Sequence, residues 1–337
     1  MRKKRPMATV KTTFLVLSDT HGETFPADRQ PPKGADVVLH CGDLTEMSKI
    51  SEFHTTLNLL KDIGAPLTLV IAGNHDFTLD PPAFHRKVAE AGLESEIELL
   101  AREYGRDGEV RQLFEDARIS HNIHLLDEGT HEFQLDNGAS LKVYASPYTT
   151  TPEADWGFQY RPTDEHKFEI HKGTDIAVTH SPPEGILDRS SSQPRLGIRD
   201  LFASVARSRP LMHCFGHVHG GWGAKLAAWR DIDKMELAKT DISHFTAIDN
   251  RRSTVLDTLQ SFQRDKFDDD ATATAKSQRL ALFKNQCYRP ASHLLNGYKA
   301  RTHTLFVNAA IKGVDEEDQN LPWLVDLDLA ESSAGAN

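Results

Sequence analysis

Leu69-Val70-Ile71-Ala72-Gly73-Asn74-His75-Asp76 is the stretch from which the rest of this chain is read. A short run of branched apolar residues reads as a buried strand, and the glycine behind it lets the backbone turn sharply. An amide, an imidazole and a carboxylate follow at once. They stand where a strand of an open α/β sheet empties into a loop, the usual place for ligand groups. Taken alone, the stretch is also an ordinary turn, because Gly, Asn and Asp favour turns for conformational reasons. Its weight depends on whether other strands deliver matching groups to the same edge.

They do. Residues 12–18 read as a strand followed by Asp19-Thr20-His21-Gly22, and residues 36–41 as a second that ends in Gly42-Asp43. Residues 175–179 end at His180, and residues 211–215 end in Gly216-His217-Val218-His219. The pairs Asp19/His21 and His217/His219 are spaced i, i+2, which in extended backbone puts both side chains on one face. Carboxylates, imidazoles and one amide oxygen form a mixed N/O donor set suited to divalent or trivalent first-row metals. No cysteine joins the series, so a thiolate site is excluded by type. Each member alone is an unremarkable cap or turn residue, but independent strands ending in ligand types one after another are not expected by chance.

Between these strands, Met47, Ile50, Phe53, Leu57 and Leu60 recur at helical spacing until Gly64 and Pro66. Residues 82–120 read as mainly helical and amphipathic. Residues 131–145 read as a hairpin turning at Asn137-Gly138, and Ile198, Leu201, Phe202 and Val205 mark a further helix. Strand pattern returns at 304–307 and 323–327. Residues 226–300, polar and including Asp268-Asp269-Asp270, read as an insertion, partly helical and partly disordered. Strands alternate with helices in the first half and pair as hairpins in the second, so a mixed α/β (α+β) arrangement is expected. One domain over 12–328 is expected, with a basic tail at 1–11 and a flexible tail at 329–337.

The 337 residues are 39% hydrophobic and carry a net charge of -10, which disfavours a general nucleic-acid surface. The three cysteines, Cys41, Cys214 and Cys287, suit reduced thiols, with Cys41 and Cys214 read as small core residues. No run is long and apolar enough for a membrane span, and no secretory signal precedes the first strand. A cytoplasmic address is expected, with the nucleus as the alternative suggested by Arg2-Lys3-Lys4-Arg5.

The ordered set Asp19-X-His21, Gly42-Asp43, Gly73-Asn74-His75-Asp76, His180 and Gly216-His217-Val218-His219 resembles the signature of calcineurin-like metallophosphoesterases. The finer likeness is to the metallophosphoesterase-domain-containing subfamily. It is carried by Ser18-Asp-Thr-His21, Cys41-Gly-Asp-Leu-Thr-Glu46, Ala72-Gly-Asn-His-Asp-Phe-Thr78, Thr179-His-Ser-Pro-Pro183 and Phe306-Val-Asn-Ala309. The resemblance implies a four-layer αββα sandwich of two mixed β-sheets flanked by helices, with two metal ions (Mn, Fe, Zn or Mg) where strand ends converge. By the same likeness Asp19, His21 and His219 hold one metal and Asn74, His180 and His217 the other, while Asp43 bridges them. The implied reaction is hydrolysis of a small phosphoester, a diester or cyclic nucleotide before a monoester. Hydroxide generated between the metals attacks phosphorus in line, and Asn74 helps to neutralise the phosphoryl oxygens. His75 protonates the leaving oxygen as general acid. Glu46 is expected to pair with His75, and adjacent Asp76 to point away.

Two departures accompany the likeness. The run Gly220-Gly221-Trp222-Gly223 lacks the acidic residue that the subfamily tends to carry after the last histidine, and the 226–300 insertion is either a lid or a surface appendage. Trp156, Phe158 and Tyr160, at alternate positions, form either a wall for a nucleoside base or, preferably, ordinary packing.

Overall fold

Central strands that are apolar on both faces force layers on either side of each sheet, and the chain folds accordingly. The computed structural model describes residues 8–189, 195–231, 242–295, 298–314 and 318–332. In chain order its strands are β1 (Thr9–Leu17), β2 (Val37–Cys41), β3 (Leu67–Ile71), β4 (Ile123–Leu125), β5 (Gly129–Gln134), β6 (Ser140–Ser146), β7 (Thr149–Thr150), β8 (Gln159–Tyr160), β9 (Ile176–Thr179), β10 (Met212–Phe215), β11 (Gly223–Ala228), β12 (Thr254–Thr258), β13 (Arg289–Pro290), β14 (His303–Asn308) and β15 (Trp323–Ala330). The helices are α1 (Ile50–Ile63), α2 (Pro81–Glu90), α3 (Ile97–Tyr104), α4 (Glu109–His121), α5 (Arg199–Ser208), α6 (His244–Ala247) and α7 (Asp270–Lys284).

One sheet runs β13-β15-β1-β2-β3-β4 and the other β12-β11-β14-β10-β9-β6-β5, while β7 and β8 pair alone. Strands β1 to β4 are mutually parallel, as are β6, β9, β10 and β14 in the second sheet. Antiparallel β15, β5 and β11 make both sheets mixed.

Strand β1 shows how the layers form. Phe14 and Val16 turn into the space between the sheets, where they join Leu39, Ile71, Val143, Val178, Cys214 and Val307. Leu15 and Leu17 turn outward and join Phe53, Leu60 and Phe114 of α1 and α4. All four β1 side chains are fully buried, as expected of a parallel strand covered on both faces. Beyond the second sheet, Leu201, Phe202 and Val205 of α5 cover Tyr144, Phe215 and Phe306. The order is helix, sheet, sheet, helix, the four-layer αββα sandwich expected. Cys41 and Cys214 are buried and free, as expected of core residues.

The expected insertion needs correcting. Gly223–Ala228 already forms β11, which pairs with β14 from Gly223↔Asn308 to Ala228↔His303. Strand β12 extends that sheet, β13 lines up on β15 of the other, and Phe283 of α7 packs on Trp222 with ring centroids 5.0 Å apart. The described part of 226–300 therefore adds strands to both sheets, with its helices between those strands in chain order. Its pairing was hidden because Gly-Ala-Lys-Leu-Ala-Ala has none of the β-branched residues that mark a strand. Residues 232–241 and 296–297 lie outside the described residues, as does most of the expected basic tail. Thr9, Val10 and Lys11, assigned to that tail from sequence, belong to β1, and β15 continues past 328 to Ala330. Among the described residues no helix is long and apolar enough to cross a membrane.

Candidate metal centre

Each expected ligand follows the C-terminal end of a parallel strand: Asp19 and His21 after β1, Asp43 after β2, Asn74 after β3, His180 after β9, and His217 and His219 after β10. The parallel ends of both sheets thus empty into one place. Four of these residues are bent back there with left-handed backbone, Asp19 at φ 53°, His21 at 47°, Asp43 at 52° and His217 at 64°. For non-glycine residues this conformation costs about 1–2 kcal/mol each, and such strain persists where surrounding bonds over-determine it. Here they do: Asp19 N–H donates to Gly42 O, His21 N–H to Asp43 O, and His217 N–H to Asp19 Oδ1 at 2.9 Å.

The seven side chains converge. His21 Nε2 stands 3.3 Å from His219 Nε2, which is 3.4 Å from Asp19 Oδ1. On the other side His180 Nε2 stands 3.1 Å from both Asp43 Oδ2 and Asn74 Oδ1. Asp43 Oδ2 is also 3.8 Å from His21 Nε2, so one carboxylate faces both groups. Potential ligand atoms of Asp19, His21 and His219 lie within 4.8 Å of one another, as do those of Asp43, His180 and His217. Two ligands held about 2.1 Å from one ion stand roughly 3.0–3.4 Å apart at octahedral to tetrahedral angles. Most of the separations fall in that range, so these His/Asp clusters fit metal ions. His180 Nδ1–H donates to Cys41 O at 2.9 Å, which orients the ring and leaves Nε2 facing Asp43 and Asn74.

Burial and charge oppose each other throughout. Burial alone would raise the Asp19 carboxyl, but the His219 and His180 imidazoles outweigh it and hold the group at about 2. Burial likewise pulls His180 down, and the Asp43 carboxylate overcomes it and lifts the ring to about 9. His40 and His213, which are not ligands, are pushed down to about 3 by burial and stand neutral, bonded to Thr20 and Thr179.

The expected partner of His75 is wrong in one respect. His75 Nδ1–H donates to the main-chain carbonyl of Glu46 at 2.6 Å, not to its carboxylate. The Glu46 carboxylate instead lies 3.0 Å from His21 Nδ1 and 2.6 Å from Lys312 Nζ, and these two neighbours hold it at about 2. Lys312, unmarked in the sequence reading, follows β14, and its N–H donates to Asp19 O. Replacing Glu46 by glutamine is therefore expected to weaken metal retention roughly 10–100-fold, the usual cost of losing an outer partner of a ligand. Titration of bound metal against a chelator measures this, and unaltered retention would remove Glu46 from the centre.

Asp76 is fully buried and accepts four bonds, from Gly73 N, Leu44 N, Thr45 N and Thr45 Oγ1 at 2.7–3.0 Å. It ties the loop after β2 to the loop after β3. Burial, reinforced by nearby Asp43, pushes its carboxyl up to about 7. The three aromatics at alternate positions go separate ways. Trp156 lies against His75, ring centroids 4.3 Å apart, while Phe158 joins the outer helical layer and Tyr160 stacks on His166. Gly157 N–H donates to Asn74 O at 3.0 Å, which fastens the Trp156 loop to the ligand loop.

Gly73 shows why the opening stretch needs a glycine. A Cβ there would run into the backbone nitrogen and Oδ1 of Asp43 and come within 2.8 Å of His180 Cε1. Gly73→Ala is expected to displace Asp43 and to lose bound metal while the fold survives, read by metal analysis beside circular dichroism. A variant that binds metal normally would refute that account.

The family follows from this geometry. Residues 12–221 match the calcineurin-like phosphoesterase family, and the chain belongs to it. It is 31% identical over 224 residues to metallophosphoesterase domain-containing protein 1 of Homo sapiens and of Mus musculus, covering 63% of this chain and 62% of each relative. It is also 33% identical over 232 residues to a probable rhamnogalacturonate lyase C of Emericella nidulans, covering 68% of this chain but 19% of that protein. The chain thus spans less than two thirds of the length of these relatives.

Proposed function

We propose that this metallophosphoesterase hydrolyses phosphodiesters, small organic ones or cyclic nucleotides, at a dinuclear centre. The observation that carries the reading is the convergence of the ligands from both sheets with His75 beside them. Asp19, His21 and His219 would hold one ion, and Asn74, His180 and His217 the other, with Asp43 between. Bound there, two ions supply Lewis-acid charge to the phosphoryl group and a water acidic enough to ionise near neutral pH. Asn74 presents its amide to a phosphoryl oxygen. His75 is half-buried, and because its Nδ1–H is committed to Glu46 O, Nε2 is the atom left to hand a proton to the leaving oxygen.

Charge supports a diester over a monoester. Lys312, the lysine that reaches the ligand network, is neutralised by Glu46 at 2.6 Å. Paired in this way, Lys312 is not available to the second negative charge of a monoester. The test is turnover with manganese on bis-(p-nitrophenyl) phosphate, p-nitrophenyl phosphate and cyclic mononucleotides. Diester preference is expected. Faster monoester turnover would replace the reading by a phosphatase, and full metal occupancy without turnover would end it.

A further inference from the structure

Resting on the phosphodiesterase reading, we infer that the cavity beside His219 binds a second anionic group of the substrate, a phosphate remote from the scissile one. The cavity has a volume of about 560 Å³, and Gly220 and Gly221, which follow His219 directly, form part of its wall. Leu187 stands on the same wall. Asn308 Nδ2 donates to Leu187 O and also to Val218 O, between the two histidine ligands, so one amide fixes the cavity to the metal loop. The opposite side is supplied by residues 258–276, the stretch that reads in sequence as an insertion.

Its charge is the reverse of the chain's. Against a net charge of -10 overall, the cavity gathers Arg189, Arg195, Arg264 and Lys276 and only two acids, Asp188 and Asp265. Both acids are engaged. Asp188 accepts from Gly185 N and Arg195 Nη1, and Asp265 accepts from Phe267 N. Lys276 is paired with Asp268 at 2.7 Å. Arg264 makes a loose, exposed contact with Asp270 at 3.9 Å and lies near Asp268, which Lys276 already pairs, and Arg189 has no ion pair among the described residues. Two guanidinium forks thus remain to meet an anion, and a fork fits a phosphate through paired N–H donors. The missing acidic residue after His219 acquires a reason. At Gly220 a carboxylate would stand on the cavity wall and repel that anion.

The test compares the p-nitrophenyl ester of thymidine 5′-phosphate with the same ester carrying a 3′-phosphate. In the native protein the added phosphate is expected to raise kcat/KM by about tenfold or more, the scale of a charged hydrogen-bonded contact. In the double variant Arg189→Glu, Arg264→Glu the ratio is expected to fall to about one or below. Equal kcat/KM for the two esters in the native protein, or a preference that survives the double variant, overturns the inference. Calorimetric binding of thymidine 3′,5′-bisphosphate against thymidine 5′-phosphate gives a readout without turnover. If neither ester is hydrolysed, the phosphodiesterase reading fails, and the cavity stands or falls on whether bisphosphate binds more tightly and loses that margin in the variant.

Discussion

Replacing Asp43 by asparagine is expected to abolish turnover, by more than the roughly 10–100-fold that losing an outer partner costs a metal site. Asp43 is where the two ligand groups meet, with Oδ2 3.1 Å from His180 Nε2 and 3.8 Å from His21 Nε2. Its Oδ1 meanwhile accepts the His75 N–H at 2.9 Å. Asparagine keeps the size and the latter bond but removes the charge shared by both groups. Without it, imidazoles gathered at 3.3 Å have one buried carboxylate fewer to offset a cation. Metal content per chain should fall along with diester turnover. A variant that keeps two ions and more than roughly a tenth of its activity would disprove the bridging role.

Replacing His75 by alanine is expected to act differently, leaving the metals bound. For an alkyl leaving group the loss should be about 10²–10⁴-fold, the range for a positioned general acid, whereas p-nitrophenolate leaves without a proton and should lose far less. The prediction follows from the Nδ1–H bond to Glu46 O and from Trp156 against the ring, which together fix where Nε2 points. A series of diesters graded by leaving-group pKa measures it. An equal loss across the series would make His75 a binding group only.

The fold was readable where burial leaves a plain pattern. Val37–Cys41 and Leu67–Ile71 are buried at every residue and read as strands at once. Ile123–Leu125 did not, because three residues behind a helix carry too little periodicity, and β11 did not because its residues are small. The candidate ligands could be picked out because metal chemistry restricts residue type and each follows a strand. The Glu46 carboxylate was misassigned because its direction depends on the left-handed turn at Asp43 and on Lys312, far along the chain. Neither leaves a mark in the local sequence.

Asp19, Asp43 and Asn74 hang from one sheet, while His180, His217 and His219 hang from the other. Ions bound among them would staple two layers that otherwise hold each other through apolar side chains and a few polar bonds, such as His217 N–H to Asp19 Oδ1 and the Arg289–Asp257 ion pair. The centre then acts as a mechanical fastener as well as a reagent, and its binding free energy belongs to the whole sandwich. Chelation should lower the melting temperature of the sandwich in a single transition rather than loosen a loop, and side chains buried between the sheets should tune metal retention from a distance.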